Sequence, residues 1–231
     1  MQYSIHKAKK RGKKMYTLLL LLIYLAFISL GLPDSLLGSA WPVMHEAFQV
    51  PLSYAGLVTM IISGGTICSS LLSERLTKKL GTQIVTVCSV LLTAVALFGF
   101  STASAFWMLC IWAIPYGLGA GAIDAALNNY VALHYNSRHM SWLHCFWGLG
   151  TIISPYVMSY ALTTSVWQNG YRMVSFIQFG IMIILFLTLP VWKVNQKTSV
   201  QQEEASEEMV GIKGALKIKG VPNLLLGFFS Y

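Results

Sequence analysis

The sequence predicts an all-α, polytopic membrane helix bundle with six transmembrane helices, and three observations carry that prediction. Hydrophobic residues make up 55% of the 231-residue chain and charged residues only 10%, where a soluble domain carries about a quarter charged residues. Six apolar runs are each long enough to cross the roughly 30 Å hydrocarbon core as a helix. The 16 Lys and Arg residues punctuate those runs instead of gathering on one face, so the net charge of +8 implies no nucleic-acid partner. Strands are excluded because a spanning barrel alternates over about ten residues.

The elements follow in order. A basic arm, residues 1–15, precedes runs at 16–40, 53–73, 82–101, 105–133, 141–163 and 172–192. The short connectors join them as hairpins. Lys7, Lys9, Lys10, Arg11, Lys13 and Lys14 lie in the arm; Arg75, Lys78 and Lys79 in the second connector; Arg138 in the fourth; Lys193, Lys197, Lys213, Lys217 and Lys219 after the sixth run. Arg172, in the fifth connector, is the exception. Cytoplasmic loops hold the excess of Lys and Arg, which places the N-terminus and the segment after the sixth run in the cytoplasm and the chain in the inner (plasma) membrane. A cleaved signal peptide ending at Gly38-Ser39-Ala40 is the competing reading; its apolar region would be too long, and cleavage would leave five spans. Residues 193–221 turn polar, with Glu203, Glu204, Glu207 and Glu208 ahead of three lysines, and read as a cytoplasmic linker. Residues 222–231 read as the cut-off opening of a seventh helix.

Cys68, Cys88, Cys110 and Cys145 fall within or beside spans, form no ligand pattern, and read as packing residues. No metal, cofactor or catalytic residue is expected, and the chain does not read as an enzyme. Gly117 and Gly121 form GxxxG inside a span, which implies close helix packing and not a dinucleotide loop, since that loop needs a preceding strand. Pro33 and Pro155 are expected to interrupt the first and fifth helices. Trp107, Trp142, Trp167 and Trp192, at span ends, read as interface anchors or packing groups.

Two carboxylates stand inside the apolar runs. Gly31-x-x-Asp34-x-x-Leu37 recurs as Gly121-x-x-Asp124-x-x-Leu127, three helices later and on a helix of opposite direction. This is the pattern of a 3+3 inverted repeat, in which sites lie between the repeats. A charged Asp in hydrocarbon costs about 2.5–3.5 kcal/mol, so both should face the bundle interior or a water-filled cavity. There they are candidates for proton coupling, because protonation neutralises the group while the protein changes conformation. The structural alternative is a pair of aspartates hydrogen-bonded within the bundle. Asn128 lies one turn from Asp124 on the same face, Tyr116 two turns before it, and Trp41 two turns beyond Asp34. His144 and Trp147 share a face of the fifth helix, and Gln178 is an isolated amide in the sixth. Aromatic faces with a few amides and carboxylates suit a small polar, sugar-sized solute.

With these residues the chain resembles the N-terminal half of the major facilitator superfamily, whose twelve helices form two six-helix halves joined by a cytoplasmic linker. Ser70 to Lys79, SLLSERLTKK, is similar to that superfamily's loop between helices two and three: Leu72, Arg75, Lys78 and Lys79 match, Glu74 replaces Asp, and Ser70 and Thr77 stand where the motif has glycine. The resemblance implies a gate role for Glu74, Arg75, Lys78 and Lys79. Within the superfamily the chain looks like the fucose permease type of sugar and proton symporters, in which an acid late in helix one and an acid in helix four, followed four residues later by Asn, form the site. Asp34, Asp124 and Asn128 fit those positions. His144 and Trp147 replace two helix-five amides, and Gly31 replaces an Asn one turn before the first acid. Ala113 stands where drug antiporters carry Arg. The implied partners are a small polar solute, protons, membrane lipid, and a missing C-terminal half or a second copy. An inactive truncated product, a non-transporting membrane protein and an organic-anion or drug exchanger are the alternatives.

Overall fold

In the computed structural model, residues 2–192, 214, 217, 218 and 220–230 are described; most of the expected linker at 193–221 lies outside them. The bundle ends at Trp192, and the described residues of a separate unit beyond it include the helix Val221–Ser230 (here α8). The described residues contain no strand. Helices α1 (Gln2–Gly31) and α2 (Leu36–Ala47) share the first span, followed by α3 (Ala55–Leu80), α4 (Thr82–Ser101), α5 (Phe106–His134), α6 (Ser137–Thr164) and α7 (Trp167–Leu187). Among the described residues, six spans are long and apolar enough to cross a membrane. The first reaches Ala47, beyond the expected 40, because α2 resumes the apolar pattern after a break.

The expected interruption occurs at Pro33, between α1 and α2, but not at Pro155, which lies within an unbroken α6. A proline removes one i to i−4 hydrogen bond; whether the helix then breaks or bends depends on what else holds the turn. In the connector after α5, burial raises the Tyr135 hydroxyl above the usual tyrosine range. It stays protonated and donates to the Tyr16 carbonyl at 3.3 Å.

One helix pairing follows the repeat. Shifting by three spans exchanges the α3–α5 pair with the α6–α1 pair, and both pairs pack extensively. Between helices surrounded by lipid there is no hydrophobic driving force, so association relies on close packing and hydrogen bonds. Small residues permit it here. A Cβ on Gly31 would strike the Trp147 carbonyl of α6, and a Cβ on Gly121 would strike the Thr66 carbonyl of α3. The two glycines of the repeated pattern therefore occupy the same place in the two repeats, at the closest approach to the partner helix. Along the α3–α5 seam, Ser70 Oγ donates to the Gly121 carbonyl at 3.2 Å and Ser73 Oγ to the Ala122 carbonyl at 3.1 Å.

Two large apolar clusters fill most of the bundle. One joins Leu19, Ile23 and Phe27 to Leu127, Val131, Leu143 and Leu185. The other joins Leu36, Met44 and Val58 to Leu97, Phe100 and Leu109. Trp167 and Trp192 belong to these clusters and are buried, whereas Trp107 and Trp142 are exposed, as interface anchors would be. Cys68, Cys88 and Cys145 are exposed instead of packed inside. The helices of the second and fifth spans are the least buried.

Candidate functional site

Between the two clusters lies a cavity of about 320 Å³ that holds both intramembrane aspartates. The break at Pro33 sets the position of the first. Without an N–H at residue 33, the chain from Leu32 to Ser35 leaves the helix and is held by tighter turns: the Asp34 N–H donates to the Gly31 carbonyl at 3.3 Å and the Leu36 N–H to the Pro33 carbonyl at 3.1 Å. Irregular backbone at membrane depth is tolerated where it is buried in protein or lines a cavity, and Asp34 lines this one. Both of its carboxylate oxygens are engaged. The Tyr116 hydroxyl donates to Oδ1 at 2.9 Å and the Trp147 Nε1–H to Oδ2 at 2.8 Å.

Asp124 sits mid-helix in the unbroken α5. One turn later Asn128 donates Nδ2–H to its Oδ1 at 2.9 Å. The other end of that amide, Asn128 Oδ1, is buried and has no hydrogen-bond partner among the described residues. Tyr116 and Asp124 are eight residues apart, so the cavity extends about 12 Å along α5, with Asp34 at the Tyr116 end. His144 and Trp147 form the α6 wall, one turn apart.

Part of the cavity lining follows the repeat. Leu30 and Ala120 both line it, as do Asp34 and Asp124, each pair separated by the same 90 positions. Thr66 and Trp147, whose carbonyls meet the two repeat glycines, line it as well. Thr66 was not among the residues singled out from sequence. Its position opposite the GxxxG glycines is the signal that could have found it.

Of the other candidates that the sequence suggests, Asn128 is bonded to Asp124 but does not line the cavity, and Trp41 and Gln178 are placed away from it. Trp41 is buried and donates its indole N–H to the Leu52 carbonyl at 2.7 Å, closing the turn to α3. Gln178 is buried with both ends of its amide engaged, to Ser29 and Thr93. Glu74, Arg75, Lys78 and Lys79 lie in the last two turns of α3, where Lys78 Nζ and Glu74 Oε1 form an exposed ion pair at 2.9 Å. The segment that resembles a loop is helical through Leu80. The turn to α4 is made at Gly81, whose φ of +84° is in the region that favours glycine.

Residues 23–231 match the Major Facilitator Superfamily. The chain belongs to that superfamily. The match takes in all the spans after the start of the first, and with it the chain is a multi-pass membrane protein of a transporter family. Among curated proteins, this facilitator chain is 23% identical over 192 residues to Bypass of stop codon protein 6 of Saccharomyces cerevisiae, covering 79% of the chain and 38% of that protein. It is 22% identical over 166 residues to the Glucose/mannose transporter GlcP of Bacillus subtilis, covering 71% of the chain and 40% of that protein. The chain thus spans about two fifths of the length of the curated relatives it matches.

Proposed function

We propose that these six helices form the N-terminal half of a proton-coupled facilitator in the plasma membrane that imports a small polar solute of sugar size. The observation that carries this reading is that one cavity holds Asp34 and Asp124 at equivalent positions of two repeats. Its volume lies near the lower end of the range for ligand sites, about 300–1,000 Å³. The rings of Tyr116 and Trp147 offer faces for a sugar's C–H groups. Asp124 and His144 offer acceptors and donors for its hydroxyls, and Asn128 holds Oδ1 of Asp124 from outside the lining. The similarity to a transporter named for glucose and mannose supports the same solute class.

Asp34 and Asp124 are the proposed proton carriers. A proton arriving on Asp34 Oδ1 requires only that the Tyr116 hydroxyl turn from donor to acceptor, while the Trp147 N–H keeps Oδ2 in place. The carboxyl becomes neutral without losing its position. That is what a group needs if it is to pass through a dry, closed intermediate. Glu74, Arg75, Lys78 and Lys79 are proposed to act at the cytoplasmic gate, where they lie on exposed turns that another element can pair with.

A screen of labelled hexoses against the transporter containing these helices tests the solute class. Saturable, proton-gradient-driven uptake of at least one aldohexose is expected. Uptake confined to organic anions or hydrophobic cations would refute it.

Orientation is a separate expectation. Ser53 and Ser137 are exposed at opposite ends of the bundle, in the first and fourth connectors. With a cytoplasmic N-terminus, a cysteine at 53 in a cysteine-free background labels from outside in intact cells, and one at 137 only after permeabilisation. Equal labelling of the two in intact cells would overturn the assignment.

A further inference from the structure

Pro33 leaves a second group to be accounted for. The backbone carbonyl four residues earlier, that of Ser29, is the one a residue-33 N–H would have satisfied. Ser29 is 1% exposed, so water is excluded, and an unpaired carbonyl at this depth carries a full desolvation penalty. Gln178 of α7, also 1% exposed, donates Nε2–H to that carbonyl at 2.7 Å. The far end of the same amide, Oε1, accepts from the Thr93 hydroxyl of α4 at 2.7 Å. One side chain therefore supplies the missing donor to the broken helix and is itself held by a third helix.

We propose that Gln178 is a positioning residue for Asp34: its side-chain N–H takes the place of the backbone N–H that Pro33 lacks and fixes the break that carries the carboxylate. Few residue types fit the task. It needs a neutral donor at one end and an acceptor at the other, reaching from one helix between two others. Glutamate would set an oxygen against the Ser29 carbonyl, and leucine would leave that carbonyl without a partner. The purpose given to the positioned carboxylate rests on the coupling role proposed above, but the brace is a matter of backbone geometry and is tested without transport.

The test is hydrogen exchange of the backbone amides of residues 32 and 34–36 in the full chain in detergent or nanodiscs, combined with a double-mutant cycle between Gln178→Leu and Pro33→Ala. In Gln178→Leu the Thr93 hydroxyl still has the Val90 carbonyl at 3.0 Å, so the loss falls on Ser29. Exchange at the break is expected to rise about tenfold, the ratio that ~1.4 kcal/mol represents, with little change in α4 and α5. Pro33→Ala restores a backbone N–H for Ser29, and in that background Gln178→Leu is expected to change exchange less than about twofold. If Gln178→Leu alone does not fold, the double variant still must. Equal effects of Gln178→Leu with and without Pro33, a rise spread evenly over the bundle, no rise at the break, or a double variant that unfolds while Pro33→Ala folds would each overturn the proposal.

Discussion

Asp124→Asn, in the transporter that contains these six helices, is expected to abolish accumulation of solute against its gradient while leaving exchange down the gradient. Each proton moved inward through 100 mV releases about 2.3 kcal/mol, which supports roughly fiftyfold accumulation at about 1.4 kcal/mol per decade. An amide at position 124 cannot take up that proton, so the accumulation ratio should fall to about one. The side chain keeps its size, and its oxygen can still accept from Asn128 Nδ2, 2.9 Å away in the native protein. A permanently neutral group can still pass through the closed intermediate, so counterflow should persist. Asp34→Asn is a different change. The Trp147 N–H must keep an oxygen, which turns the new amide nitrogen toward Tyr116, whose hydroxyl donates in the native protein. That variant should weaken solute binding as well as coupling. Energised uptake compared with counterflow in the same vesicles separates the two, and undiminished accumulation in Asp124→Asn would remove Asp124 from the mechanism.

Gly31→Val and Gly121→Val are expected to prevent assembly of the bundle. The added Cβ meets a backbone carbonyl of the neighbouring helix in each case, of Trp147 or of Thr66, and no rotamer relieves a clash at Cβ. Overpacking costs about 1–3 kcal/mol where side chains can adjust; here whole helices must separate, and the α3–α5 hydroxyl seam would go with them at Gly121. Gly64 and Gly148 provide the control, since a Cβ at either meets nothing within 4 Å. Valine at those positions should leave a monodisperse protein, while valine at 31 or 121 should give aggregate or degraded chain. Normal yield and melting behaviour of Gly121→Val would contradict the packing described.

The repeated Gly-x-x-Asp pattern was legible in the sequence because both of its residues answer to strong constraints. The glycine is required by a helix–helix contact with no room for Cβ, and the aspartate cannot face lipid. The six spans were legible for the same kind of reason, since lipid demands length and apolarity of each one. Trp41 and Gln178 were harder. A polar group in an apolar run announces that it has a partner, not which one, and the partners here are the backbone carbonyls of Leu52 and Ser29 on other segments. Thr66 gives no such signal, because a threonine in a helix can satisfy its own hydroxyl, as this one does with the Ile62 carbonyl at 3.0 Å. The helical state of Ser70 to Lys79 was hidden by its likeness to a loop motif; Gly81, just beyond it, makes the turn.

The most direct measurement is of protons. Vesicles carrying the transporter, with no membrane potential and no pH gradient, are given solute from outside while external pH is followed. Symport through the Asp34 and Asp124 cavity predicts that the medium turns alkaline as solute enters, and that the signal vanishes in Asp124→Asn although solute still exchanges. Solute entry with no change in external pH, or the same alkalinisation with both aspartates replaced by asparagine, would contradict it.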